Sequence, residues 1–581
     1  MPLLRRARAA AIGTALLATG CLATNPLAFA DPGQPGCAQG GPTMRYLVVF
    51  AAGTAGQDAD AQIVGACGTT TVYYAQIAVA VATSADPGFG ERMGPDRVYS
   101  AQAQAYYDGD QAQAADGSYK SDELPSDPAG AVTPDPGAVS QRNLTGQQWD
   151  MAMIRANEAH RINEGSQRVL VGVLDSGIDP NHPNLAKELD RTASAGCVTG
   201  KPDTSQAAWA PTTSSHGTHV AGTIAAADNG NGTAGVAPGV RVASVKVVDD
   251  QGYIYPEAAV CGFMWAAQQH MTIANNSYFV DPWVFTCKDS QGQSVIYTAV
   301  ERAVQYASAH NVLSVAAAGN GAVDLTNPGQ DSRSPDNVDA GDQEQRQLDV
   351  GCLQLPAGIP GVVTVSAVGG NDVKAGYSSY GLGAVNVAAP GGDPRQRTSA
   401  GPRCVLSTVP GGYADSCGTS MAAPHVSGVA ALLASTHPNA TPKQLARLLY
   451  SEANPIACPA DYDLNGTGIQ DAYCTGDATY NSFYGHGMVD ALAAVNSASP
   501  ATTPTTATSV STPSGPPPAL PDKSVDGAAA ITARPAIQHK SDSTTVPDRT
   551  PIPPSNPVPQ PTQALTPAGG AVGGFALLGM W

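Results

Sequence analysis

Ser420 begins the stretch of this 581-residue chain that is best suited to chemistry. It follows Gly418-Thr419 and precedes small apolar residues, which predict a buried helix because no face of the run suits water. A hydroxyl at the start of such a helix lies beside backbone N–H groups that stabilise negative charge. A serine there is also a common helix cap, so a nucleophilic role needs a base and an acid from elsewhere. We expect Pro424 in the first turn, where proline is tolerated.

A candidate acid and a candidate base precede Ser420. Asp175 ends the apolar run 169–174, which predicts a buried strand of a parallel sheet, and the ends of such strands carry the sites of open α/β sheets. His216 begins a helix of small residues. A serine nucleophile needs an imidazole to accept its proton and a carboxylate to orient that imidazole. The order Asp, His, Ser differs from the Ser, Asp, His order of α/β-hydrolases.

Other interpretations of these residues stay open at this point. Asp175 is alternatively a strand-end residue that binds the next turn. His216 and His219 are three residues apart on one predicted helix, as metal ligands can be, although no third ligand lies at a suggestive spacing. Asn320, which follows a glycine, is alternatively an ordinary turn residue.

The surrounding segments predict the fold. Apolar strands alternate with helical segments over 148–497, a pattern typical of a three-layer α/β/α fold with a doubly wound, mainly parallel sheet. A small α+β domain over 44–110 contains predicted strands at 45–50 and 70–82. The remaining segments are a signal peptide at 1–30, a linker at 111–145 and a disordered Pro/Thr/Ser-rich tail at 499–581.

The N-terminal segment predicts export. Arginines within Arg5–Arg8, a short apolar run and an Ala-Phe-Ala site ending at Ala30 form the pattern of a secretory signal peptide. Cys21 lies in a weak lipoprotein-like box, so a lipid anchor at the cell surface is the alternative. The net charge of −18 argues against nucleic acid as a partner. Disulfides are expected among the eleven cysteines of an exported chain, and spacing suggests the pairs Cys404–Cys417 and Cys458–Cys474.

Four blocks of sequence carry a family resemblance. They surround Asp175, His216, Asn320 and Ser420, in that order. With these blocks the chain resembles the subtilisin-like serine peptidases, or subtilases, over 148–497. The blocks are VGVLDSGID at 171–179, HGTHVAGT at 216–223, VAAAGN at 315–320 and GTSMAAPHV at 418–426.

The resemblance implies roles for single residues. Ser420 would be the nucleophile, His216 the general base and then acid, and Asp175 the carboxylate that orients the histidine. The side chain of Asn320 and the backbone N–H of Ser420 would hold the oxyanion. Family members often carry an N-terminal propeptide that assists folding, inhibits the enzyme and is removed by self-cleavage. The domain at 44–110 resembles such a propeptide more weakly, with the cut expected in the linker.

The resemblance also implies substrate contacts at Ser277, Tyr278, Phe279 and Gly319. In many subtilases the strand at Ser277 continues Ser-Leu-Gly along the substrate groove, whereas here a bulky phenylalanine replaces the glycine. The loop 324–349 is long and acidic. It either favours basic substrates or is a solvated surface loop, and we favour the second interpretation.

Structural calcium is a hypothesis for one further segment, while catalysis itself is expected to need no cofactor. Oxygen donors alternate before a glycine at 461–466, as in calcium loops. The other interpretation is an acidic turn held by Cys458 and Cys474. The candidate ligands are Asp461, Asp463, Asn465 and Asp471.

The chain is therefore expected to be a secreted, monomeric serine endopeptidase that acts on proteins or peptides and is inhibited by its own propeptide until it processes itself. One alternative is a processing protease held at the cell surface. A second is a non-catalytic binding protein on the same fold. Loss of a residue among Asp175, His216, Asn320 and Ser420 would indicate the second alternative, and none is lost.

Overall fold

The computed structural model describes residues 36–38, 41–108, 142–337, 344–398 and 401–496. The predicted signal peptide, the linker up to residue 141 and the predicted tail lie outside these residues.

The small N-terminal domain is an antiparallel sheet with helices. Its elements are β1 (Met44–Val49), α1 (Gly56–Gly65), β2 (Thr69–Tyr74), β3 (Val79–Ser84), α2 (Phe89–Met93), β4 (Val98–Tyr99) and α3 (Ala101–Asp108). The strand order is β2-β3-β1-β4. The prediction of one strand over 70–82 is wrong, because the chain turns between β2 and β3, where Ala78 takes a φ of 53°. No glycine or proline marks this turn, so the sequence pattern gave no signal for it.

The second domain alternates strands and helices. Its first half contains α4 (Trp149–Met153), α5 (Ala156–Ala159), β5 (Leu170–Asp175), β6 (Ala195–Gly196), α6 (Gln206–Trp209), α7 (His216–Ala225), β7 (Arg241–Lys246), α8 (Pro256–Gln268), β8 (Ile273–Asn276), β9 (Thr286–Cys287), α9 (Gln293–Ala309) and β10 (Leu313–Ala317). Its second half contains β11 (Gln330–Ser334), β12 (Glu344–Gln347), β13 (Cys352–Leu353), β14 (Val363–Val368), β15 (Val387–Pro390), β16 (Asp393–Thr398), β17 (Gly401–Arg403), β18 (Val405–Val409), β19 (Gly412–Ser416), α10 (Thr419–Thr436), α11 (Pro442–Glu452) and α12 (Ala491–Asn496).

A seven-stranded sheet forms the middle layer of this domain, in the order β15-β14-β10-β8-β5-β7-β6. Every pairing in it is parallel. Apolar residues of α7 and α10 pack on one face, and those of α8 and α9 pack on the other. All residues of β5 are buried, because both faces of this central strand are covered. The predicted three-layer α/β/α fold is confirmed.

The small domain packs against the layer formed by α8 and α9. Leu47, Val79 and Val81 of its sheet belong to the same core cluster as the apolar residues of these two helices. Arg302 of α9 donates to the carbonyl oxygens of Phe50 and Ile77, both at 3.0 Å. The two domains therefore share an apolar core and polar contacts at its edge.

Disulfides join neighbouring elements in both domains, and the two predicted pairs are among them. The disulfide pairs are Cys37–Cys67, Cys197–Cys261, Cys287–Cys352, Cys404–Cys417 and Cys458–Cys474.

No helix in the described part of the chain has the length and apolar character that a membrane span requires.

Candidate active site

The predicted site residues meet at the carboxyl edge of the parallel sheet. Asp175 is the last residue of β5, and Asn320 follows β10. His216 is the first residue of α7, and Ser420 is the second residue of α10. All four residues line a single cleft. Strand ends and helix N-termini converge here because the parallel sheet places them on the same edge.

Asp175 and His216 are in direct contact. His216 Nδ1 lies 2.8 Å from Oδ1 and 3.0 Å from Oδ2 of Asp175, which is only 1% exposed. With its proton on Nδ1, the ring donates a hydrogen bond to this carboxylate. In the neutral ring Nε2 is then unprotonated and can accept a proton. Gly217 permits the close approach, since a Cβ there would lie 2.5 Å from Gly177 O and 3.0 Å from Asp175 Oδ1. The pair is thus arranged to keep the imidazole in one tautomer and orientation.

Ser420 is attached to the strand beside it by a reciprocal pair of hydrogen bonds. Its hydroxyl donates to Ser277 O at 3.1 Å, and the Ser277 hydroxyl donates to Ser420 O at 3.0 Å. The second bond depends on Pro424, which lacks the N–H that would otherwise bind Ser420 O within the helix. The expectation that Pro424 lies in the first turn is wrong, because α10 already begins at Thr419. The proline instead leaves Ser420 O without a partner within the helix, and this carbonyl accepts the hydrogen bond from Ser277 in the cleft wall.

Asn320 is oriented by the residue before Ser420. Its Oδ1 accepts hydrogen bonds from the backbone N–H and the hydroxyl of Thr419, at 2.9 and 2.8 Å. With Oδ1 held in this way, Nδ2 is the end of the amide suited to donate to a negative charge that develops beside Ser420. Thr419 was not predicted to have a role, although its position within the serine block was the available signal.

The residues predicted to contact substrate, Ser277, Tyr278, Phe279 and Gly319, also line the cleft. The hydroxyl of Tyr278 donates to Asn276 Oδ1 at 3.0 Å. Burial, and secondarily the charge of Asp175, raises the pKa of the Tyr278 phenol, which therefore stays neutral. This wall of the cleft is bulkier and more polar than a Ser-Leu-Gly sequence would make it.

Two carboxyl groups that the sequence analysis did not single out lie in the same cleft. Asp281 and Asp336 both line it, and Asp281 is only 4% exposed. The Asp281 carboxylate also accepts a hydrogen bond from the backbone N–H of Ile254. Burial, followed by the charge and the hydrogen bond of Asp336, raises the pKa of Asp281 well above its ordinary value.

The interpretation of loop 324–349 as solvated surface is wrong for two of its residues, Arg333 and Asp336. Both line the cleft, where they contribute charges of opposite sign. The acidity of the loop was visible in the sequence, but its approach to Asp281 depends on tertiary packing. The loop therefore contributes to the wall of the cleft.

The calcium candidates lie outside the cleft and bind each other and their own loop. Asp463 accepts from the backbone N–H groups of Thr467 and Gly468, and Asp471 accepts from Leu464 N and Asn465 Nδ2. Gln470 Nε2 donates to Asp461. Among the described residues, the one compact group of metal-ligand side chains is Cys37, Cys67 and Asp86, and its cysteines form a disulfide. Calcium at 461–471 stays a prediction.

Comparison with known proteins gives the family. The model of the Subtilase family matches residues 166–487. The chain belongs to this family and is a serine endopeptidase of the hydrolase class. It is 31% identical over 325 residues to Subtilisin Savinase from Lederbergia lenta, covering 56% of this chain and 96% of that protein.

Two further similarities concern a longer relative and a solved structure. Fervidolysin from Fervidobacterium pennivorans is 30% identical over 353 residues, which are 56% of this chain but only 42% of fervidolysin. The crystal structure of an epidermin leader peptide processing serine protease from Staphylococcus aureus aligns with a TM-score of 0.57 and 19% identity, covering 79% of this chain and 99% of that chain. At this identity the second similarity supports the fold alone.

Proposed function

We propose that this chain is a secreted endopeptidase in which Ser420 attacks a peptide carbonyl, His216 transfers the protons and Asp175 orients His216. The contact of 2.8 Å between His216 Nδ1 and Asp175 Oδ1, in the cleft that Ser420 also lines, carries the proposal. Proteins or peptides would be the substrates. The enzyme would act as a monomer and need no cofactor for the reaction.

The proposed reaction has two halves. In the first, the Ser420 hydroxyl loses its proton to His216 Nε2 while Oγ bonds to the carbonyl carbon, and the oxyanion is held by the Asn320 amide and the Ser420 N–H. The C–N bond then breaks, and the departing amine takes the proton from His216. In the second half, water attacks the acyl-enzyme by the same route, with His216 again as base, and the acid product and Ser420 are released.

The small N-terminal domain would act as an inhibitory propeptide. Its last strand and helix lie beside residues that border the cleft: Tyr99 Oη accepts from Trp283 Nε1 at 3.1 Å, and Ala101 O accepts from Asn337 Nδ2 at 3.1 Å. Asn337 follows the cleft residue Asp336. The small domain is therefore hydrogen-bonded, at the start of α3, to the residue that follows a cleft residue.

Export rests on the signal-peptide pattern of residues 1–30. The alternative of a processing protease anchored at the cell surface rests on Cys21. Protease activity measured in culture fluid and in washed cells distinguishes the secreted form from the anchored form. A non-catalytic binding role is disfavoured by the direct contact of Asp175 with His216, which a protein without chemistry has no need to keep.

The test compares the secreted wild-type protein with Ser420→Ala and with the exposed control Ser451→Ala. The proposal predicts that wild type and control hydrolyse a denatured protein substrate and have lost the domain at 44–110. The Ser420→Ala protein should keep that domain and show no hydrolysis. Equal hydrolysis by the Ser420→Ala protein would contradict the triad, and a shortened Ser420→Ala protein would contradict self-processing.

A further inference from the structure

Lys374 is a buried lysine five residues before Ser379, which lines the cleft. Its side chain is 1% exposed in total, and its Nζ donates to Ser378 O at 2.6 Å and to Ala375 O at 3.1 Å. Three aromatic rings enclose the rest of the ammonium group. These rings are Tyr380, Tyr462 and Phe483, with centroids 5.1, 5.1 and 5.2 Å from Nζ.

These contacts replace the water that an ammonium group loses on burial. Carbonyl dipoles and ring faces both attract a positive charge. The charged groups nearby are the ion-paired Arg395 and Asp393, together with Asp471. Burial, reinforced by Arg395, lowers the pKa of Lys374 to about 7. The neutral amine keeps N–H donors, so the bond to Ser378 O persists in either state.

The segment that Lys374 holds is hydrogen-bonded to the segment that carries Asn320. Gly319 O accepts from Ser379 N at 2.9 Å. On the other side of Asn320, Tyr377 O accepts from Ala322 N at 2.8 Å. A third bond joins Tyr380 N to Val323 O at 2.9 Å. Asn320 is thus bracketed by backbone bonds to the segment 375–380.

We propose that Lys374 is a positioning residue for the oxyanion site: by joining Ala375 O to Ser378 O, it fixes segment 375–380 and, through it, the Asn320 amide. The inference rests on the proposed oxyanion role of Asn320. Lys374 touches neither substrate nor the reacting atoms, and it acts through Ser379 and Gly319. A buried lysine is costly unless it has partners, and here two carbonyl oxygens and three aromatic rings supply them.

Removing the ammonium leaves Ser378 O buried without that donor, which favours a shift of the segment toward other partners. A displacement on the order of 1 Å at a reacting group lowers rates by up to ~10²-fold. We therefore expect Lys374→Met to lower kcat about tenfold, which is milder than a full displacement at the reacting centre. KM should change less than about twofold, because an oxyanion donor acts in the transition state.

The experiment is a double-mutant cycle of Lys374→Met and Asn320→Ala, with kcat and KM measured on a peptide substrate. Lys443→Met, an exposed lysine of α11, is the matched control and should leave both constants unchanged. If Lys374 acts through Asn320, Lys374→Met lowers kcat about tenfold in the wild-type background but less than about twofold in the Asn320→Ala background. Equal losses in both backgrounds, or no loss in the wild-type background, would overturn the inference.

A replacement variant and the Asn320→Ala single mutant distinguish failure of this inference from failure of the proposed oxyanion role. If Lys374→Met does not fold, Lys374→Arg replaces it in the cycle, since the planar guanidinium keeps donors but does not fit the same enclosure, and the same non-additivity is expected. An Asn320→Ala enzyme with undiminished kcat overturns the proposed oxyanion role together with this inference. A reduced kcat in Asn320→Ala beside an unaffected Lys374→Met overturns the inference alone.

Discussion

Arg45 of the small domain and Glu257 of helix α8 form an ion pair across the boundary between the two domains, with 3.2 Å between Nη1 and Oε1. Glu257 is only 5% exposed, and the same guanidinium nitrogen donates to Val198 O at 2.9 Å. Burial raises the pKa of Glu257, while Arg45 opposes that shift. Attachment of the small domain therefore supplies the counter-charge for a buried carboxylate.

The first prediction concerns Arg45→Met in a Ser420→Ala precursor, where self-cleavage is blocked. Removing one partner of a buried ion pair leaves the other uncompensated, so the free energy of unfolding should fall by about 3 kcal/mol. Urea unfolding of the precursor measures this change. The control is Arg161→Met at an exposed position, expected to change stability by less than ~0.5 kcal/mol. Equal stabilities of the two variants would contradict the assigned importance of the pair.

The second prediction concerns pH and the carboxyl pair of Asp281 and Asp336. Because the folded protein raises the pKa of Asp281, folding favours its protonated form. This contribution to stability is complete below the ordinary aspartate pKa of about 4 and is lost as the pH rises through the raised value. Asp281→Asn keeps a neutral side chain of the same shape. Its melting temperature should therefore fall less between pH 4 and pH 9 than that of the parent.

Melting temperatures across this pH range, measured in the Ser420→Ala background, test whether Asp281 titrates with a raised pKa. Asp289→Asn serves as the control, because Asp289 is exposed in the same domain. The control should keep the parent's pH dependence. A parallel pH profile for Asp281→Asn would show that the pair does not titrate as described.

The third prediction concerns calcium at the loop 461–471. The Asp463 carboxylate accepts backbone hydrogen bonds from Gly468 and Thr467, which lower its pKa and keep it ionised. An ionised carboxylate with neighbouring oxygen donors suits a hard cation. If calcium binds, a chelator should lower the melting temperature of the secreted protein, and Asp463→Asn should remove most of that response. A melting temperature that does not change on addition of chelator would contradict calcium binding at this loop.

Much of the site was predictable from the sequence because chemistry restricts residue types. A serine nucleophile needs an imidazole and a carboxylate, so Asp175, His216 and Ser420 stood out despite their separation in the chain. The parallel sheet followed from alternating strands and helices. Local spacing also suggested the disulfide Cys404–Cys417, whose members lie at either end of the β18–β19 hairpin.

Features that depend on long-range packing were not predictable. The approach of Asp281 to Asp336 needs two loops to meet, and no local pattern encodes that meeting. The enclosure of Lys374 draws on rings more than 80 residues further along the chain, at Tyr462 and Phe483. The role of Pro424 was misjudged because this residue lies beyond the first turn of a helix that begins at Thr419. The consequence for Ser420 O appears only once Ser277 is beside it.

The most direct test of the central claim is the reaction of the purified secreted protein with a fluorophosphonate, followed by mass spectrometry of the labelled peptide. Only a serine activated by a base reacts readily with such a reagent. The account predicts a single modification at Ser420, which His216→Ala suppresses by at least ~10²-fold, while Ser451→Ala leaves labelling unchanged. Labelling at another serine, or an unlabelled protein after removal of the domain at 44–110, would contradict Ser420 as an activated nucleophile.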